Sequence, residues 1–188
     1  MKRTWLLAIA SLSLAACTQS SPATTGTAPS GSTEAGVGAS RTYIAHLSAG
    51  SEVPANASQA AGQFILTVEK DGTLSYKVIS SNINNVVASH IHLGPVGANG
   101  PIVQFLFGAP PVPAGGGAQD GILSHGTIDG TALLGPLAGM GLDALIAAMD
   151  AGNTYVNVHT NDGVAPTGTG PGDLSAGEIR GQIRKNGK

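Results

Sequence analysis

Beyond residue 40, apolar and polar positions alternate along most of the chain, the two-residue period of strands that bury one face. Segments 42–47 and 63–69 carry this pattern, and 74–80 follows across Lys70-Asp71-Gly72, a turn suited to a hairpin. Further strands are predicted over 86–93, 102–107, 121–128, 154–160 and 178–184, separated by glycine- and proline-rich loops. Many short strands at this spacing predict an all-β fold, an antiparallel sandwich or barrel. One segment breaks the period. Leu142, Leu145, Ile146 and Met149 fall at i, i+3, i+4 and i+7 with Gly152 after them, which predicts a short helix over 142–151 covering one end of the sheets. Two glycine-rich loops, 108–120 and 161–177, have the length of functional loops in a compact domain.

The first forty residues follow a different pattern. Met1-Lys2-Arg3-Thr4 is a short positive segment, and residues 5–16 are mostly apolar. About a dozen apolar residues are too few to span a bilayer and instead predict a secretory signal peptide over 1–16, removed on export. Leu14-Ala15-Ala16-Cys17 resembles the lipobox of bacterial lipoproteins, in which the cysteine receives a diacylglycerol thioether and becomes the new N-terminus. That resemblance implies a lipid anchor on Cys17 and a place in the bacterial cell envelope, membrane-held and facing the periplasm or the exterior. Residues 18–40 are almost all Thr, Ser, Gly, Ala and Pro, so 17–40 reads as the lipidated cysteine with a flexible tether, and 41–188 as the folded domain.

Composition then narrows the function. Charged residues make up 11% of the 188, against roughly 25% in an average soluble domain, so any cluster of polar groups demands a reason. The formal charge is −2, and removal of a leader carrying Lys2 and Arg3 takes it to −4. With no basic patch, the electrostatic attraction behind nucleic-acid binding is missing. Cys17 is the only cysteine, which excludes an intrachain disulfide framework and cysteine-rich zinc sites. No Gly-x-Ser-x-Gly elbow is present, Gly94-Pro95-Val96-Gly97-Ala98-Asn99-Gly100 lacks the lysine and following helix of a phosphate loop, and the acidic residues are dispersed. No catalytic residues are assigned, and the pattern favours a binding protein over an enzyme.

The polar residues that do occur are not evenly spread. His90 and His92 flank Ile91, so in an extended strand both imidazoles leave the same face. In Tyr155-Val156-Asn157-Val158-His159 the valines share one face, and Tyr155, Asn157 and His159 the other. Ile179 and Ile183 likewise oppose Glu178, Arg180 and Gln182. Three converging imidazoles, His90, His92 and His159, suit copper or zinc, with copper favoured because copper(II) binds nitrogen donors most tightly in the first-row series. Glu178 would complete the sphere or orient an imidazole, with Asn157 and Arg180 beside it. His125, next to Gly126, is either a fourth ligand or a turn neighbour, and His46 reads as a strand-face residue. The competing interpretation makes all of these surface residues on a solvated sheet face, hydrogen-bonded to Asn157 and Glu178.

The same residues carry a family resemblance. Gly50-Ser51-Glu52-Val53-Pro54, Ser89-His90-Ile91-His92-Leu93-Gly94, Gly97-Ala98-Asn99-Gly100-Pro101-Ile102-Val103, Tyr155-Val156-Asn157-Val158-His159-Thr160 and Gly177-Glu178-Ile179-Arg180-Gly181-Gln182-Ile183 resemble, in order, the motifs of the CHRD domain. That domain is named from the repeats of chordin and is common as a single copy in bacterial secreted proteins. A Gly/Pro-rich stretch, 162–175, separates the last two motifs. The His-x-His strand with its glycine-rich loop is also similar, more weakly, to the copper-ligand strand of copper/zinc superoxide dismutases, which implies a Greek-key sandwich or barrel. This chain lacks the bridging histidine, the zinc loop and the disulfide of those enzymes. The readings that follow are a lipid-anchored metal-binding domain, a protein-binding or envelope-structural module without metal, as chordin's growth-factor binding implies, and, third, dismutase-like redox activity with Arg180 guiding an anion.

Overall fold

The computed structural model describes residues 41–108 and 116–187. The predicted signal peptide, Cys17 and the tether lie outside these residues. Nine strands and one α-helix occur among the described residues: β1 (Arg41–Ser48), β2 (Ala61–Val68), β3 (Leu74–Asn84), β4 (Val86–Leu93), β5 (Ile102–Phe107), β6 (Ala118–Ile128), α1 (Leu142–Asp150), β7 (Thr154–Thr160), β8 (Ile179–Gln182) and β9 (Arg184–Lys185). No helix among them is long and apolar enough to cross a membrane.

All strand pairs are antiparallel and run in the order β5-β4-β7-β8-β1-β2-β3-β6, with β9 also on β1. The two end strands, β5 and β6, come together, and the Tyr76 hydroxyl on β3 donates to the Leu106 carbonyl of β5 (2.8 Å) near that seam. The sheet is thus a nearly closed barrel. Strands β4, β5 and β6 form a consecutive run that β3 and β7 flank out of sequence, which makes two interlocking Greek keys.

Alternation explains the interior. Tyr43, Ala45 and Leu47 of β1, Phe64 and Leu66 of β2, Ile91 of β4, Val156 and Val158 of β7 and Ile179 of β8 point inward and are at most 2% exposed. The helix forms where expected. Leu145 and Met149 are buried over one end of the barrel, and Gly152 turns the chain away at φ +71° after the C-terminal residue Ala151. The boundaries of β4, β5 and β7 match the sequence pattern. Two segments differ. β3 runs on to Asn84 and takes in Ser81, Asn82 and Asn84, poor strand formers that are held by pairing with the early start of β6, and Asn82 takes a positive φ of 54° where the register with β6 shifts. The single strand predicted over 178–184 is two, because Ile183 donates its N–H to Thr154 of β7 while Arg184 and Lys185 turn to pair with β1.

The closure between β8 and β1 depends on close backbone approach. A Cβ on Gly181 would overlap the main-chain carbonyl of His46, so only glycine allows the two strands to meet there. Gly181→Ala is expected to cost about 2–3 kcal/mol and lower the melting temperature by roughly 5–10 °C. An unchanged melting curve would show that the approach is not required.

Candidate metal centre

The strands that carry the polar residues are buried on both faces. His90 is 6% exposed, His92 8%, Asn157 3% and Arg180 2%, so the outer sheet face is covered rather than solvated. Three segments cover it, and the polar side chains themselves hold them down. The Arg180 guanidinium donates to Asn99 Oδ1 (3.0 Å) and to the carbonyls of Pro95 (3.2 Å) and Ala98 (2.8 Å), and Gln182 donates to Gly94 (3.0 Å). Asn99 in turn donates to the Val53 carbonyl (2.7 Å), and Asn56 to the Glu178 carbonyl (3.0 Å). The loop 94–100, the segment after β1 and the segment before β8 are thereby pinned across the face.

Beneath this cover the sequence-predicted histidines converge. Register places His90 of β4 opposite Asn157 of β7, and His159 opposite Ala88, so His159 reaches His90 diagonally. Two register shifts between β4 and β5 fall at Ser89/His90 and at Ile91/His92, just before each histidine, and such bulges re-aim side chains. One nitrogen from each of His90, His92 and His159 lies within 4.8 Å of the others. A tetrahedral ion at 2.0–2.1 Å from each would need spacings of about 3.3 Å, so the rings would draw in around a bound ion.

Hydrogen bonds set the rings. His92 Nδ1 donates to the Gly100 carbonyl (2.8 Å) and His159 Nδ1 to the Ser175 carbonyl (2.9 Å), so the Nε2 atom of each neutral ring carries a lone pair. His92 Nε2 and His90 Nδ1 are buried with no partner among the described residues. His159 Nε2 meets the Asn157 amide, whose Oδ1 lies at 3.0 Å; turned over, that amide presents its NH2 to the lone pair. Burial keeps the rings uncharged. It pushes His90 down to about 3, aided by the neighbouring His159 and His92, and it also lowers His92 and His159 against their hydrogen bonds to main-chain carbonyls. Phe105 packs its ring edge on His90 (4.7 Å), and Tyr155 stacks on His92 (4.8 Å) while Arg180 sits 3.4 Å from the Tyr155 ring centre. Three neutral, partly unpartnered imidazoles in a shielded site can hold a transition-metal ion.

A family model for the CHRD domain matches residues 43–169. The chain belongs to the CHRD domain family. No curated protein and no solved structure matches it. The matched stretch of the CHRD domain ends before β8, yet β8 completes the barrel between β7 and β1 and supplies Arg180 to the site.

Two expected members of the CHRD site stand elsewhere. His125 is exposed on β6, opposite Lys77 of β3, and β5 stands between its strand and β4. Glu178 touches none of the histidines. Its buried carboxylate accepts hydrogen bonds from Ser58 Oγ (2.6 Å), Thr160 Oγ1 (2.6 Å) and the Gly172 N–H (2.8 Å), which fasten the segment before β8. Asn157 and Arg180 do lie at the cluster, and His46 is an exposed strand-face residue.

One residue had no role assigned from sequence. Glu52, 7% exposed, sits beside Gly177, where a Cβ would overlap Glu52 Oε1 and crowd the Asn157 amide. Its Oε1 has no partner among the described residues, and burial pushes the carboxyl up to about 7, outweighing the Val53 N–H and the Arg180 charge, which favour ionisation. Glu52 lies in an irregular segment without periodicity, so only its place in a family motif marks it. A carboxyl raised in the folded state from an ordinary 4.5 adds stability below pH 4.5 that is lost as pH rises through 7. Glu52→Gln is therefore expected to melt above the parent at pH 8 and together with it at pH 4. Equal curves at both pH values would show that Glu52 is not strained by burial.

Proposed function

We propose that this CHRD domain is an extracytoplasmic, lipid-anchored module that binds one transition-metal ion, copper in preference to zinc, through His90, His92 and His159. The observation that carries this reading is the pair of Nδ1–H donations to main-chain carbonyls, from His92 to Gly100 and from His159 to Ser175, which leave Nε2 as the lone-pair nitrogen of each ring in a cluster whose ligand atoms lie within 4.8 Å of one another. Metal-bound histidines are held by their second nitrogen in this way. Among the described residues the cluster offers nitrogen donors alone, and copper(II) binds such sites most tightly in the first-row series. Tyr155 and Phe105 shield the rings, and Arg180, by holding the loop 94–100, keeps the Gly100 carbonyl in place. Storage, delivery or sensing of the ion fits this arrangement better than turnover. The anchor rests on Cys17 and its lipobox-like flank.

A second reading is supported by the contact between Asn157 and His159 Nε2, which satisfies that ring without metal. In it the histidines are packing and hydrogen-bonding groups of a protein-binding or envelope-structural module.

Elemental analysis separates the two. Full-length protein equilibrated with copper(II) and desalted is expected to retain one copper per chain and to melt at a higher temperature than the chelated form. The His90→Ala/His92→Ala variant is expected to lose retention, with affinity down at least 100-fold. No uptake, or uptake unchanged in that variant, overturns metal binding. Chelator-insensitive melting together with a lower melting temperature in the variant supports the structural module. For the anchor, Cys17→Ala is expected to move the protein from the membrane to the soluble fraction; retention on membranes counts against lipidation of Cys17.

A further inference from the structure

A groove of about 600 Å³, lined in part by Arg180, opens between β1, the segment that follows it, the loop 94–100 and the β8–β9 edge. None of His90, His92 and His159 lines it. Its volume lies within the range of small-molecule sites.

The charge of this groove is at odds with that of the protein. Of the seven lysines and arginines beyond residue 40, Arg180, Arg184 and Lys185 all line it, in a chain whose net charge is negative. None of the three forms an ion pair with a carboxylate among the described residues, where the one salt bridge is Arg41–Asp150. Among the described residues the only carboxyl on the groove wall is Glu52, more than nine-tenths buried, with Oε1 unpartnered. Burial pushes that carboxyl up to about 7, which weakens the one negative charge beside the three basic side chains. The groove also has an apolar part, which adjoins the cations where Ile44 of β1 pairs with Arg184 of β9. Ile44, Val53 and Val96 contribute to it, and Val96 is 71% exposed.

We propose that this groove is a second binding site, independent of the histidine cluster, for a small amphiphilic anion: an organic carboxylate whose head meets Arg184 and Lys185 and whose short apolar tail lies against Ile44, Val53 and Val96. Two cations and one apolar wall recognise both parts of such a molecule. A bare inorganic anion would leave the wall unused, and a neutral amide would leave the cations unpaired.

Isothermal titration calorimetry of the full chain carrying Cys17→Ala, which removes the acylation site, tests this with octanoate, octanamide and inorganic phosphate. Octanoate is expected to give saturable 1:1 binding, at least tenfold tighter than octanamide or phosphate. Arg184→Gln/Lys185→Gln is expected to weaken it about tenfold, the loss of two partly screened charge contacts, at an unchanged melting temperature. Val96→Asp weakens it as well, and His90→Ala/His92→Ala leaves it intact, which keeps the result separate from metal binding. No saturable heat, equal binding of octanamide or phosphate, or unchanged affinity in the Arg184/Lys185 variant overturns the proposal.

Discussion

Arg180 is a full positive charge at 2% exposure with no carboxylate hydrogen-bonded to it, and the site is arranged around keeping it there. Burying a guanidinium costs several kcal/mol unless its donors are satisfied. Here three oxygens of the loop 94–100 satisfy them, and the Tyr155 ring offers its negative face at 3.4 Å, a contact worth about 2 kcal/mol when water is excluded. Charged hydrogen bonds contribute roughly 1.5–3 kcal/mol each, so the loop and the arginine stabilise one another. The covered loop excludes water from the sheet face, and the dry face keeps the histidines neutral. The chemistry of the imidazoles thus depends on a residue two strands away from His90 and His92.

The barrel therefore has two interiors. One is the apolar core that alternation predicts. The other is polar, lies on the opposite face of β4, β7 and β8, and is built from His90, His92, Tyr155, Asn157, Arg180 and Gln182 under three loop segments. This second layer gives the low charge content a physical reason: an ionised side chain on a covered face needs a dedicated set of partners, and Arg180 alone recruits the loop 94–100 to meet that need. Glu178 shows the same rule with the opposite sign, its carboxylate surrounded by Ser58, Thr160 and a main-chain N–H.

Alternation in the sequence shows which residues share a face but carries no information about what lies over that face. His90, His92, Asn157 and His159 were grouped correctly because a two-residue period has one geometric solution. Whether that face was wet or dry was not legible, since the covering hydrogen bonds run to main-chain carbonyls of Pro95, Ala98, Gly100 and Ser175, which have no sequence signature. His125 stands apart from the cluster for a related reason: strand order in a Greek key is a long-range property, and β5 separates β6 from the strands that carry the other histidines. Glu178 shared a sheet face with Arg180 on paper, but it precedes β8, where the pleat no longer dictates direction. The end of β3 was missed because Ser81, Asn82 and Asn84 are poor strand formers held by tertiary pairing.

Because Gly100 and Ser175 orient their histidines through carbonyl oxygens, the orienting group at each position belongs to the chain and not to a side chain. Replacing Ser175 cannot delete its acceptor, and Gly100 is confined to glycine because any Cβ there would run into the Leu93 carbonyl. Ring geometry is thereby insulated from point substitution and tied to the length and path of the two covering segments. Insertions and deletions in those segments are the changes through which evolution, or an engineer, would retune the three imidazoles.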